Sequence, residues 1–325
     1  MIICLWTLFL LSVFAVILSS NVRQKLVLVQ HLDERARLRY IGDAGVKRGI
    51  AELRKMEIKS YVALNESWAI NPGLFKDVDI GSGKFSVCYN YGDEESGVMQ
   101  TRYGVIDEER KLNINKCEPQ VLRRLFQIAL DIDETQAAEL AACIVDWRDS
   151  DSQASMPGGA ENSYYTNLQY PYASKDAFLE VLDEVFLIKG FNDCTFQKIK
   201  DYITIYGEGR VNINTASRPV LTAVGLSGSI IDKIMAFRRG KDKTEATPDD
   251  NFFASSSEIV PRLSQEWDLS DSEIAQLSMV SERYLTTNSD NFMIKVLSRI
   301  AGRSNMKETL CVFNRSGKKI LYWRE

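Results

Sequence analysis

Lys111-Leu112-Asn113-Ile114-Asn115 and Arg210-Val211-Asn212-Ile213-Asn214 are one pattern used twice: a basic residue, an aliphatic one, Asn, Ile, Asn. The first copy is followed by Pro119 and Val121-Leu122, the second by Pro219 and Val220-Leu221. Each copy reads as a short extended segment ending on Asn, a natural helix N-cap. Pro then sits early in the helix, where its missing N–H does no harm. Self-similarity at this scale marks a structural unit. After the second copy, Val224-Gly225-Leu226 gives an apolar-Gly-apolar turn and Ile230 to Arg239 a further helix. That is the layout of a helix-hairpin-helix.

Outward from the repeat, the pattern is helical for about 175 residues after Asp107. On its N-terminal side, from Asn65 to Gly104, turn signals (Asn71-Pro72-Gly73, Gly81-Ser82-Gly83) separate short alternating runs such as Lys84 to Tyr91. On its C-terminal side the runs Phe292 to Ile300, Thr309 to Phe313 and Lys319 to Trp323 also read as strands. Asn314-Arg315-Ser316-Gly317 would make the last two a hairpin. Strands on both sides of a helical block predict an α+β fold. One αβ domain, with parts at 65–106 and 286–325, is split by an all-helical insertion at 107–285 that carries two helix-hairpin-helix or SAM-like repeats.

The N-terminus predicts a membrane anchor. Ile2 to Leu18 carries no charge, and only Thr7 and Ser12 break its apolar character. As a helix it spans about 26 Å, just enough for a bilayer. No basic region precedes it and no small-residue cleavage pattern follows, which favours a retained anchor over 1–20 rather than a cleaved signal. No Pro or Gly interrupts the chain up to Tyr40, and apolar residues recur at Val22, Leu26, Val29, Leu32, Ala36 and Tyr40. Anchor and amphipathic continuation over 21–64 therefore read as one helix running to about Tyr61. Gly42, Gly45 and Gly49 on one face permit close helix approach, either to a partner helix or to the chain's own globular part.

A net charge of −4 and a pI of about 5.4 give no global reason to expect nucleic acid. The stretch Lys198 to Lys243 is locally basic, at +5, but Asp107 to Cys194, which holds the first repeat, stands at −9. Membrane-anchored competence receptors also join an anchor helix to a module containing Asn-x-Asn-Thr-Ala, which Asn212 to Ala216 matches. The acidic first repeat would repel a phosphate backbone, and the flanking strands would be left unexplained. No nucleic-acid partner is expected. The single histidine, His31, excludes a His-pair metal site, and the six cysteines (4, 88, 117, 143, 194, 311) show no C-x-x-C or C-x-x-H spacing. They read as small buried apolar residues.

One loop carries chemistry. Asp146-Trp147-Arg148-Asp149-Ser150-Asp151 closes a helix begun near Glu134. The chain then passes Pro157-Gly158-Gly159-Ala160-Glu161-Asn162 to Tyr164-Tyr165. Three carboxylates within six residues, with Glu161 returning across a Gly-rich turn, supply the hard oxygen ligands that calcium takes. The EF-hand spacing is absent, so a solvated acidic loop, or Asp146 paired with Arg148, remains the other reading. No nucleophile, positioned histidine or phosphate-cradling Gly loop accompanies these acids, so no active site is expected and the chain reads as non-enzymatic.

These residues resemble a known family. Asp107-Glu108-Glu109-Arg110-Lys111-Leu112-Asn113-Ile114-Asn115, Asp146-Trp147-Arg148-Asp149, Gly159-Ala160-Glu161-Asn162-x-Tyr164 and Asn212-Ile213-Asn214-Thr215-Ala216 are similar, in order, to the motifs of the type II secretion minor pseudopilin K family. The resemblance implies a pilin-like helix and a pseudopilin αβ domain. It implies a structural subunit at the tip of a periplasmic pseudopilus, anchored in the inner membrane, with minor pseudopilins I and J as partners. A minor pilin of a type IV pilus is the near alternative. Family members bind calcium, which makes Asp146, Asp149, Asp151 and Glu161 the candidate ligands; the family's Asp after Glu is Asn162 here, one charge fewer. Members carry a basic leader ending in Gly, whereas no Lys, Arg or Gly precedes the apolar run here, which reads as a misassigned start or a lost leader. Arg23 and Lys25, taken alone, favour the opposite orientation by the positive-inside rule.

Overall fold

The computed structural model describes residues 1–56, 60–92 and 99–325. With no helix breaker before Gly42, α1 runs unbroken from Ile2 to Lys55. Its apolar side chains from Ile2 to Leu32 are exposed, and its most apolar 18-residue window has a mean hydropathy of 2.6 with 0% buried. That segment is long and apolar enough to cross a membrane.

From Leu38 onward the same helix lies on a sheet, burying Leu38, Ile41, Val46 and Leu53. The three glycines make this possible. A Cβ at Gly42 would stand 2.6 Å from Thr309 Oγ1, one at Gly45 2.5 Å from Val296 Cγ1, and one at Gly49 2.9 Å from Ile294 Cγ2. The small-residue face is therefore spent on the chain's own sheet. The expected extension of the helix to Tyr61 is corrected: it closes at Lys55, and Met56 is extended at φ −60°, ψ 118°. Val62, Ala63 and Leu64 are buried in succession, which one face of a helix does not allow. The Val62 N–H instead donates to Thr287 O at 2.7 Å. Residues 57–59 lie outside the described residues.

Strands from both ends of the sequence build one antiparallel sheet. α2 (Pro72–Phe75) leads into β1 (Val78–Ile80) and β2 (Gly83–Val87), while β3 (Tyr89–Gly92) and β4 (Met99–Arg102) form a side hairpin. β5 (Ile106–Asp107) is the last strand before the helical block. After the block come β10 (Asn291–Ile300), β11 (Met306–Asn314) and β12 (Lys319–Arg324). The order is β1-β2-β10-β11-β12, with β5 pairing the start of β10, Asp107 opposite Phe292. Phe292, Ile294, Val296 and Ser298 alternate inward along β10 and are fully buried. In the β11–β12 turn the Gly317 N–H donates to Asn314 Oδ1 at 2.7 Å.

The block between is not all-helical as expected. β6 (Leu112–Asn113) leads to α3 (Pro119–Leu130), α4 (Glu134–Arg148), α5 (Asn162–Thr166), α6 (Asp193–Ile199) and β7 (Ile203–Thr204). β8 (Val211–Asn212) leads to α7 (Arg218–Ala223), α8 (Gly228–Arg238), α9 (Ile259–Glu266), α10 (Asp271–Tyr284) and β9 (Leu285–Thr286). β6 pairs β7, and β8 pairs β9, both parallel. The two repeats thus each open on a strand that the end of the same repeat closes, and α3 packs on α7.

The repeated asparagines are not N-caps, correcting that expectation; Glu118 and Ser217 occupy the cap positions. The first Asn of each pair folds the turn: Asn113 Oδ1 accepts from Asn115 N–H at 2.9 Å, and Asn212 Oδ1 from Asn214 N–H at 3.0 Å. The second acts as a backbone surrogate. Asn115 donates to Leu179 O and accepts from Leu179 N–H, at 2.9 and 2.8 Å, and Asn214 does the same with Phe253 at 3.0 and 2.9 Å. An amide side chain presents the same donor and acceptor as a peptide, so it pairs an extended segment as a strand would. Arginine completes each turn: Arg148, ending α4, donates to Ile114 O and to Cys117 O, and Arg238, ending α8, donates to Ile213 O and Ala216 O.

Candidate functional site

The end of α4 points four consecutive side chains in four directions. Asp146 is fully buried, and both its oxygens accept the Ser155 N–H, at 3.0 and 3.2 Å, so it holds the loop's own backbone. Trp147 enters the core and meets Tyr165 of α5 edge-on at 5.1 Å between ring centres. Arg148 reaches the Asn turn of the first repeat, not Asp146. Asp149, half-buried, turns into the acidic loop. Gly159 is required where the loop returns, since a Cβ there would fall on Asp146 and within 2.6 Å of Ser155 O. The Trp147–Tyr165 contact ties the two ends of the loop together and brings Glu161, just before α5, back to Asp149.

Three of the four expected ligands converge. One carboxylate oxygen each from Asp149, Asp151 and Glu161 lies within 4.8 Å of the others; Asp146 is outside this group. Glu161 is only 5% exposed, and its Oε1 and Asp149 Oδ1 are buried without a hydrogen-bond partner. Among the described residues no ion pair engages any of the three. Burial, reinforced by the charges of Asp146 and Asp149, pushes the Glu161 carboxyl above its ordinary range. Burial and then Asp151 do the same to Asp149. Orphaned buried oxygens on crowded carboxylates are the donor set a divalent cation satisfies.

A second acidic group, Asp242, Asp249 and Asp250, follows α8 as the first follows α4, but it closes on itself. Asp249 accepts from the N–H groups of Lys241 and Asp242 and from Thr247, and Asp250 accepts from Ala246 N–H. Beside it the buried Glu245 is paired with Arg238 at 2.5 Å and Arg102 at 3.0 Å. Burial would raise its carboxyl, yet the two guanidiniums hold it at about 2. This loop's charges are met by the chain itself, and it leaves no orphaned carboxylate oxygen among the described residues.

The cysteines behave as small apolar residues where they are buried: Cys88, Cys117, Cys143 and Cys311 are inside, Cys4 and Cys194 are exposed, and all are free. His31 is exposed on α1. Sequence reasoning missed the roles of Arg148 and Arg238. Their recurrence at the end of the second helix of each repeat was the available signal.

Comparison with known proteins points one way. Residues 105–208 match the first-domain profile of type II secretion system (T2SS) protein K. Type II secretion system protein K of Aeromonas hydrophila is 28% identical over 163 residues, 48% of this chain and 47% of the relative. The protein of that name from Pectobacterium carotovorum subsp. carotovorum is 27% identical over 186 residues, 54% and 53% respectively. The matched region spans about half the length of these curated relatives. In structure, the chain superposes on a chain of the GspK-GspI-GspJ complex from the enterotoxigenic Escherichia coli type 2 secretion system. The TM-score is 0.67 over 91% of this chain and 98% of that one, at 16% identity. In sequence through its central segments, and in fold along nearly its whole length, this chain resembles type II secretion system protein K.

Proposed function

We propose that this chain is a minor pseudopilin, a non-enzymatic structural subunit at the tip of a type II secretion pseudopilus. α1 holds it in the inner membrane, the body lies in the periplasm, and minor pseudopilins of the I and J kinds are its partners. The observation that carries this reading is a fold shared over 91% of the chain with a component of the GspK-GspI-GspJ complex. It is joined to a helix whose apolar half projects bare from the body. None of the described residues covers that half, so lipid and neighbouring helices are its natural surroundings. A bulky block inserted between β5 and β10 would obstruct the stacking of a further subunit, which suits a subunit that ends an assembly. Its two helix pairs serve, in this reading, as helix-hairpin-helix or SAM-like units for protein packing, not DNA binding.

The acidic loop is read as a calcium site held by Asp149, Asp151 and Glu161. Asp146 acts behind it by fixing the loop backbone. A bound cation would remove the repulsion among the three carboxylates and lock the end of α4 to α5. The test of the assembly reading is co-purification of the tagged full chain, in detergent, with co-expressed I-type and J-type minor pseudopilins. A stable stoichiometric complex is expected. Failure to retain either partner, or a salt-sensitive shift of duplex DNA by the same preparation, would overturn it.

A further inference from the structure

The run Asp107-Glu108-Glu109 is buried where the chain passes from the sheet into the helical block, beside the place where it returns. Glu108 is neutralised there: Oε1 accepts Lys111 Nζ at 2.7 Å and Oε2 accepts Thr204 Oγ1 at 2.5 Å. Asp107 is saturated with donors. Its Oδ1 takes the Glu109 N–H at 2.8 Å. Its Oδ2 takes Asn212 Nδ2 at 3.1 Å, Thr215 Oγ1 at 2.6 Å and Ser289 Oγ at 2.8 Å. Glu109 in turn accepts the Asn291 side-chain amide at 2.7 Å and the Asn291 N–H at 3.1 Å. Asn291 opens β10, so Asp107 grips the second repeat and the returning chain while Glu109 grips the sheet.

Among the described residues no ion pair engages Asp107 or Glu109, though the charge of Arg110 reaches Asp107 and favours its ionised form. Lys111 is taken by Glu108, and Arg110 leans 5.7 Å from the Tyr91 ring centre, on the side of Glu245. From the β10 side, Asp290 stands beside Glu109, and Arg315 is 3.8 Å from the Asp290 carboxylate. From the loop before β8, Gly207 covers Glu109, and Glu208 turns away to Lys116 at 2.8 Å. Two carboxylates in a dry site that share no ion pair do not both ionise at low cost.

We propose that Asp107 and Glu109 form a proton-operated latch between the helical block and the sheet: one proton held by the pair keeps the block seated, and its loss loosens the junction. The proton belongs on Glu109: Asp107 accepts four hydrogen bonds and feels the charge of Arg110, whereas Glu109 accepts from fewer donors, the Asn291 side chain and the backbone of Asp290 and Asn291. Burial, then the charge of Asp107, pushes the Glu109 carboxyl up to about 8. Its folded pKa thus lies above the unfolded value. The stabilisation is complete below the ordinary carboxyl range, near about 4.3, and is lost as pH rises through about 8.

The test is calorimetry of the full chain in detergent micelles at pH 6 and pH 9. The wild type should melt as one cooperative transition at pH 6. At pH 9 the transition should split into separate block and sheet components, or fall by roughly 2–4 °C. Glu109→Gln, fixed in the neutral form, should behave at both pH values as the wild type does at pH 6. A wild-type thermogram unchanged between the two, or a Gln variant that responds as the wild type does, would overturn the latch. If circular dichroism shows that Glu109→Gln does not fold, Asp107→Asn serves instead. It removes the charge opposing ionisation of Glu109, so the pH response should shrink, and an undiminished response counts equally against the proposal.

Discussion

At the scale of single residues, the acidic loop separates ligand from support in a way the letters alone do not. Asp146 and Asp149 are both acids at the end of one helix. Three residues of helical twist turn Asp146 inward to Ser155 and leave Asp149 facing Glu161. The carboxylates were legible in the sequence because acids crowd there. The division of labour was not, since it depends on where α4 stops and how Gly159 lets the loop return. A prediction follows from the orphaned Glu161 Oε1. With chelator, Glu161→Gln should raise the melting temperature or leave it unchanged, because a buried, repelled charge is removed. In millimolar calcium the wild type should gain stability, about 2.7 kcal/mol at a hundredfold excess over Kd, and the variant should gain little. Asp146→Asn keeps an acceptor for Ser155 and should retain most of the shift. Melting curves with calcium and with chelator measure all three, and a wild-type curve indifferent to calcium would mean the loop holds no ion.

Among the elements, the repeat was visible as a pattern but its mechanics were misassigned. Asn at the end of an extended segment suggested a cap, because capping is what Asn does from local sequence alone. The partners that make Asn115 and Asn214 backbone surrogates lie 64 and 39 residues away, beyond any local window. The same holds for the end of α1: its start and apolar face were plain, whereas it stops at Lys55, short of a segment whose Val62 pairs with Thr287 far along the chain. If Asn214 is a strand surrogate, Asn214→Ala strands the buried N–H and C=O of Phe253. It should cost about 1–3 kcal/mol for each group left unpaired. Asn214→Asp should cost at least as much, since it removes the donor and sets a carboxylate oxygen against Phe253 O. Chemical denaturation of the full chain would read both; a loss within about 0.5 kcal/mol, the level of an ordinary surface substitution, would contradict this role.

For the whole molecule, the strands on either side of the helical block were enough to read a split αβ fold, because an edge strand and its partner need not be neighbours in sequence. What composition does not reveal is how separate the two cores are. One cluster is drawn entirely from residues 112–285, the other from 41–105 and 292–313, with Ala246 the one apolar residue of the block, among the described residues, packed against it. The crossings that join them are largely polar, made by Asp107, Asn212, Ser289, Val62 O and the Arg102–Glu245 pair, together with the Tyr61 ring stacked on Phe252 at 4.1 Å between centres. Asp107 and Phe292 face each other across an antiparallel pair, so a two-residue turn spans them. Replacing residues 108–291 by Asn-Gly should therefore leave a body that folds: α1 on a sheet ordered β1-β2-β10-β11-β12, with Trp68 still 5.2 Å from Phe292. Asp107 would simply exchange its buried donors for water. The excised chain in detergent should show a cooperative melt by circular dichroism and a buried Trp68 signal in near-ultraviolet spectra. A chain that aggregates or melts without cooperativity would show that the sheet needs the block seated on it, and that the two cores fold only as one.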